Sequence, residues 1–342
     1  MQSRDELIRA FDKLGVFLQC EIEKDQSDWF DDISRRVFIK NGWFDPRETK
    51  TALTYWVGAL NSKNLKAWLS DSEFSISPMK VGLILAGNIP MVGFHDVLTT
   101  ILCGHRALLK CSSNDNVLIP ELLHIASRFC DGFNDSFEII DRLKDYDAAI
   151  ATGSNNSKRY FNSYFSHVPN IIRGNKTGIA VMNGTESKKD LNGLMKDCFT
   201  YFGLGCRNIT KLYLPKDYEL NEIFEASVPF SYLMNNNKYT NNYTYHKALM
   251  MMEKQPVLEN ELILMIPNPS LFSPVSVLNY EYYNNEDELT EMIEQNLDKI
   301  QCVVGHNNRD FGTAQLPSLD DYADGVDTLK FLSNLHSERL PN

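Results

Sequence analysis

The sequence predicts an α/β protein, with two parallel-sheet domains and a helical N-terminal segment. Three observations point there. Short apolar runs such as Val81–Leu85, Ala107–Lys110 and Ala148–Thr152 read as buried strands. Stretches of helical period separate them, the alternation of a parallel sheet with crossover helices. Three runs lead into small or polar turns, Gly87-Asn88, Ser112-Ser113 and Gly153-Ser154, at the strand ends where such sheets bind ligands.

Residues 1 to about 75 read as helices, with Ile8, Phe11 and Leu14, and again Leu53, Trp56, Val57 and Leu60, at helical spacing. After Val81–Leu85, Pro90 suits a first helical turn, so a helix is expected over Met91–Cys103, stopped by Gly104. Strand Ala107–Lys110, helix Val117–Phe129 and strand Ala148–Thr152 follow. The next helix carries Tyr160, Phe161, Tyr164 and Phe165, read as core and interface aromatics. Asn235–Asn242 reads as a loop. A second α/β unit holds strands near Ile179–Met182, Lys211–Leu214, Leu262–Ile266, Val275–Leu278 and Cys302–Val304, with an acidic helix at Asp287–Lys299. Turn residues and acids fill Phe311–Asp327, ahead of an amphipathic Thr328–Leu335. The expected domains are 1–180, 181–310 and a C-terminal segment 311–342 at a domain or subunit interface.

The 342 residues suffice for two cores, and 43% hydrophobic with 23% charged residues excludes wholesale disorder. A net charge of −11 argues against a general nucleic-acid or anionic-membrane binder. Seven scattered cysteines without a CxxC read as reduced thiols, most of them packing residues. The charged N-terminus lacks an apolar signal core, and no run approaches a membrane span. A cytoplasmic protein is expected.

Several familiar sites are absent. There is no GxxxxGK[ST] and no GxSxG. The seven histidines form no HExxH, so no metal is expected. The nearest approach to GxGxxG, Gly203-Leu204-Gly205-Cys206-Arg207-Asn208, has asparagine in the third position and follows a helix rather than a strand. That segment is nevertheless the sharpest feature. Two glycines just before Cys206 leave room beside its thiol, its N–H can face an oxyanion, and Arg207 can favour the thiolate. Taken alone, a buried cysteine in a tight turn fits equally well.

The remaining motifs resemble the LuxC-type acyl-CoA reductases, a branch of the aldehyde dehydrogenase superfamily. In family order they are Ala86-Gly87-Asn88-Ile89-Pro90, Leu109-Lys110-Cys111-Ser112-Ser113, Thr152-Gly153-Ser154, Gly174-Asn175-Lys176, the Cys206 segment, Phe272-Ser273-Pro274-Val275 and Asp321-Tyr322-Ala323-Asp324-Gly325-Val326-Asp327. They span residues 80 to 330, roughly three quarters of the chain. The resemblance implies an aldehyde-dehydrogenase-like fold with a Rossmann-like cofactor domain and a catalytic domain. It makes Cys206 the acyl-accepting nucleophile and Asn88 the amide that helps hold the oxyanion. Lys110 would bind the cofactor ribose, with Ser112 and Ser113 beside it. Gly153-Ser154 would approach the pyrophosphate, and Phe272 would be a further cofactor-binding residue. Asn88 also suits a cap for the Pro90 helix, Lys110 a solvated strand end, and Ser154 an N-cap.

Two departures bear on mechanism. Aldehyde-oxidising relatives carry a glutamate that activates water; aligning Gly174 and Lys176 with its segment puts Ile172 there, 34 residues ahead of Cys206. Without that base, the acyl-cysteine is expected to await hydride rather than water. Ser270 replaces a second glutamate, a ribose contact. Ser113 stands where NAD-preferring relatives place a third, which removes a repulsion against a 2′-phosphate and favours NADPH over NADH. The expected activity is NADPH-dependent reduction of long-chain acyl-CoA to aldehyde. Alternatives are an aldehyde dehydrogenase releasing acid and a non-catalytic acyl carrier or scaffold. An acyl-transferase or acyl-activating partner and a homo-oligomer are further expectations.

Overall fold

The computed structural model describes residues 2–335. They form two compact units: the chain up to Gly174 together with the stretch from Ser318 onward, and Asn175–Pro317.

The first unit opens with α1 (Arg4–Glu23), α2 (Asp28–Lys40), α3 (Pro46–Ala59) and α4 (Ser62–Trp68). Ser3 starts α1 through a reciprocal capping box with Glu6. The buried face of α1 includes Leu7, Phe11, Leu14 and Leu18, as the helical spacing requires. Phe11 meets Phe94 and Phe133 edge-on at 6.3 and 5.5 Å, so this bundle shares a core with the sheet layer that follows.

That layer comprises β1 (Lys80–Ile84), α5 (Phe94–Leu102), β2 (Arg106–Lys110), α6 (Leu118–Ser127), β3 (Phe137–Ile139), β4 (Ala148–Thr152), α7 (Asn155–Tyr164) and β5 (Asn170–Arg173). The five strands lie in the order β3-β2-β1-β4-β5, all parallel, with Leu83 between Leu109 and Ile150. Strand order reverses at β1, and the crevice between β1 and β4 is where such sheets take a dinucleotide. The helix expected from Met91 starts instead at Phe94. Met91 adopts a left-handed φ of 64°, and Gly93, packed against Leu85, is the residue before the helix. Neither Pro90 nor Asn88 therefore serves α5 as first-turn residue or cap.

The second unit contains β6 (Thr177–Val181), α8 (Lys188–Phe199), β7 (Ile209–Pro215), α9 (Asn221–Ser227), α10 (Asn237–Glu253), β8 (Leu258–Glu259), β9 (Leu264–Pro267), β10 (Val277–Tyr283), α11 (Glu286–Glu294) and β11 (Ile300–Gly305). Its sheet runs β11-β6-β7-β10-β9-β8, parallel except for β8. Ile179, Val181, Tyr213, Tyr283 and Leu289 form one core cluster, and Tyr243, Met250, Leu264, Ile266 and Val277 another. The Asn-rich stretch expected as a loop begins α10 instead, because Asn236 caps it through the Lys238 N–H.

The boundary lies at 174/175 rather than 180/181, since β6 pairs with β7 and β11. The 311–342 segment is divided: its start stays with the second unit, and Ser318 onward returns to the first. There α12 (Thr328–Ser333) packs on α5. Arg173 bonds Asp96 at 2.6 Å and Thr328 at 2.8 Å, all three buried, and His105 reaches the Leu332 carbonyl at 2.9 Å. The last seven residues of that segment lie outside the described ones. Among the described residues, no helix is long and apolar enough to cross a membrane.

Candidate active site

In the first unit, three neighbouring strand ends bring Asn88, Lys110, Ser112, Ser113, Gly153 and Ser154 to one edge of the sheet. Gly87 allows the first two loops to touch: a Cβ there would lie 2.6 Å from Ser112 Oγ. Asn88 follows, exposed, on an otherwise largely buried loop between β1 and α5. Lys110 and Ser112 are half-buried and Ser113 is exposed. Ser112 Oγ accepts the Asn114 N–H at 3.2 Å. Beneath these loops the buried Asp115 carboxylate accepts the Met91 N–H at 3.3 Å, and burial pushes its carboxyl up to about 7.

Gly153 sets α7 hard against the end of β4. A Cβ on it would lie 2.8 Å from Ser157 Cβ. Ser154 is the N-cap, accepting the Ser157 N–H at 3.2 Å, so the capping role expected of it is present. No acidic residue occupies the first turn of α7. Backbone N–H groups at a helix start, without an opposing carboxylate, suit a diphosphate. The glycine-shaped cradle would thus suit the diphosphate of a dinucleotide.

In the second unit, Cys206 lies on the loop that leads into β7 and Phe272 on the loop that leads into its parallel neighbour β10. Helix α8 ends at Phe199, and Tyr201, Phe202 and Gly203 then take left-handed φ values of 55°, 56° and 76°. Two such non-glycine residues in succession cost about 1–3 kcal/mol each. The fully buried Asn208 holds the turn in place. Its Oδ1 accepts the Gly205 N–H at 2.7 Å, and its amide donates to the carbonyls of Asp197, Cys198 and Thr200 at 2.9, 3.2 and 2.7 Å. One side chain therefore takes two carbonyls from the last turn of α8 and that of Thr200, and holds the residue before Cys206. Cys206 itself is half-buried.

Asp197 ties this turn to a distant stretch of chain by accepting the Gly312 and Ala314 N–H groups at 2.6 and 2.9 Å. Burial pushes its carboxyl up to about 6. Asn208 and Asp197 were not singled out from sequence. Asn208 stands inside the GLGCRN segment, where an asparagine two residues past the cysteine was the available signal. Asp197 gave none, because its partners lie over a hundred residues away.

Cys103, Cys198 and Cys302 are buried packing residues, and Cys111 is half-buried. Burial pushes Cys103 and Cys302 up to about 12 and Cys111 to about 11, and raises Cys198 well above the usual thiol range. At position 172, on β5, the isoleucine packs against the cluster of Ala149, Ala151 and Phe165. Ser270 is exposed and its Oγ donates to the Phe272 carbonyl at 3.0 Å; Phe272 is 38% exposed. Among the described residues, no group of three His, Cys, Asp or Glu side chains could hold a metal ion.

No family model matches the chain, and no curated protein matches it in sequence. Solved structures do match in fold. Aldehyde dehydrogenase 21 from Physcomitrella patens, in complex with the reaction product succinate, superposes with a TM-score of 0.67 at 11% identity, covering 98% of this chain and 84% of that one. An oxidoreductase from Marinobacter aquaeolei gives 0.64 at 10% identity over 89% of this chain and 73% of that one. Mycobacterium tuberculosis aldehyde dehydrogenase complexed with NAD+ gives 0.60 at 13%, over 85% and 71%. The fold is that of the aldehyde dehydrogenases.

Proposed function

We propose that the protein is an NADPH-dependent acyl-CoA reductase that works through a thioester on Cys206. The observation that carries the reading is a cysteine on a turn fastened by Asn208, and it is supported by the family alignment, which puts a hydrocarbon, Ile172, at the position where aldehyde-oxidising relatives hold a base. The Cys206 sulfur attacks the acyl-CoA carbonyl, forming a C–S bond while the carbonyl pair moves onto oxygen. The Asn88 amide and the Cys206 N–H are assigned as donors to that oxyanion. The pair returns, CoA leaves as a thiolate, and the acyl group stays on Cys206. Lys110, Ser112, Ser113, Gly153, Ser154 and Phe272 would hold NADPH, whose chemical contribution is a hydride to the thioester carbonyl. The resulting hemithioacetal alkoxide re-forms its C=O as the C–S bond breaks, releasing aldehyde and returning the Cys206 thiolate. With isoleucine at 172, water near the thioester lacks its usual activator. We further propose that the acyl group arrives as free acyl-CoA or from a transferase partner, and that the protein acts in the cytoplasm as a homo-oligomer.

Incubation with NADPH and acyl-CoAs of graded length, with product identification, tests this. One aldehyde and one CoA per NADPH consumed is the expected outcome, with Cys206→Ala inactive yet still binding NADPH. Steady carboxylate formation from aldehyde and NAD(P)+ would make the protein a dehydrogenase; acylation without NADPH binding would make it a carrier.

A further inference from the structure

The loop Asn268–Phe272, between β9 and β10, has no regular structure, yet nearly every carbonyl in it is taken by a buried or half-buried side chain. Lys211, on β7, is fully buried, and its Nζ donates to the Asn268 carbonyl while pairing with Glu281 Oε2 at 2.6 Å. Thr210 Oγ1 donates to the Leu271 carbonyl at 2.7 Å. Asn279, on β10 and 1% exposed, donates to the carbonyls of Ser270 and Phe272 at 2.9 and 3.1 Å, leaving its own Oδ1 without a partner. The loop adds its own bonds, from the Ser270 N–H to Asn268 Oδ1 at 2.9 Å and from Ser270 Oγ to the Phe272 carbonyl.

Such an arrangement is costly. A buried ammonium loses its hydration and an orphaned amide oxygen is left unbonded, where apolar packing would hold a merely structural loop as well. Burial duly lowers the Lys211 pKa, against the opposing pull of Glu281. What the arrangement does secure is register. Thr210 and Lys211 lie four and five residues past Cys206 on the strand that leaves the nucleophile turn, so both loops are fastened to the same strand.

We propose that Thr210, Lys211 and Asn279 are positioning residues that fix the Phe272 loop relative to Cys206, and so set the approach of the nicotinamide to the acyl-thioester. This rests on the proposed reading of Phe272 as a cofactor-binding residue beside the thioester. With Ser270 turned onto its own loop, rigidity comes from beneath the loop through these three side chains.

Two measurements test it on the full chain, with Asn279→Ala and the near-isosteric Thr210→Val as principal variants and Lys211→Met as a third. Amide hydrogen exchange should rise about tenfold or more in 268–272 and stay unchanged in the Cys206 turn. In rapid mixing, CoA release without NADPH should stay within about twofold of the parent, while aldehyde formation falls about tenfold and the isotope effect from 4-deuterated NADPH grows. Unchanged exchange in 268–272 overturns the positioning role whatever the enzyme does, as does a parallel loss of acylation and reduction in folded variants. A parent protein that forms no acyl-enzyme at all overturns the functional reading instead, and the exchange result still decides the positioning.

Discussion

At the scale of single residues, Asn208 decides more of the site than its place in the sequence suggests. A chain passing through consecutive left-handed residues at Tyr201 and Phe202 will relax unless neighbouring groups hold it. Four hydrogen bonds from one buried amide do so. Asn208→Ala is expected to cost about 2–3 kcal/mol of stability, because it leaves buried carbonyls unpaired. Acylation should fall by more than the stability loss explains, since the residue before Cys206 is released. Thermal unfolding and CoA release, measured on the same preparation, check both. A variant that unfolds earlier but acylates normally would reduce Asn208 to a structural cap.

At the scale of elements, the proposed cofactor cradle depends on how closely α7 starts behind β4. Gly153 is where that distance is set, since any side chain there would meet Ser157. Gly153→Ala should push the helix away from the strand end, raise the KM for NADPH about tenfold or more, and leave CoA release without NADPH unchanged. Steady-state and burst kinetics separate the two steps; an unchanged KM would place the diphosphate elsewhere. The elements also show where sequence reading ran short. The strands Ala148–Thr152 and Cys302–Val304 were legible as apolar runs between turn residues. β3 and β5 were not, because each is short and stabilised by pairing with β2 or β4. The Asn-rich start of α10 looked like a loop by composition, and tertiary packing of Tyr239 and Tyr243 overrode that preference.

At the scale of the whole molecule, two buried carboxyls give stability a definite pH dependence. Asp115 and Asp197 are raised from 3.8 to about 7 and about 6. Each therefore holds its proton more tightly in the folded chain than in the unfolded one. The stability each adds is complete below its unfolded value and is lost as pH rises through its folded value. Asp115→Asn should flatten the fall in thermal midpoint between about pH 4 and pH 7, with its advantage over the parent largest above pH 7. Parallel curves for parent and variant across that range would show that Asp115 does not titrate there.

The sequence by itself determined the alternation of strands and helices, the strand-end turns and the cysteine segment with its glycines, because these depend on local period and turn chemistry. It also placed a hydrocarbon at 172, on which the proposed reaction leans. The tertiary structure alone decided that the C-terminal stretch returns to the first unit through Arg173, that Asp197 reaches Gly312, and that Lys211 fastens the Phe272 loop. Those are contacts between residues far apart in the chain, bought by burying polar groups that a sequence pattern can only read as exposed.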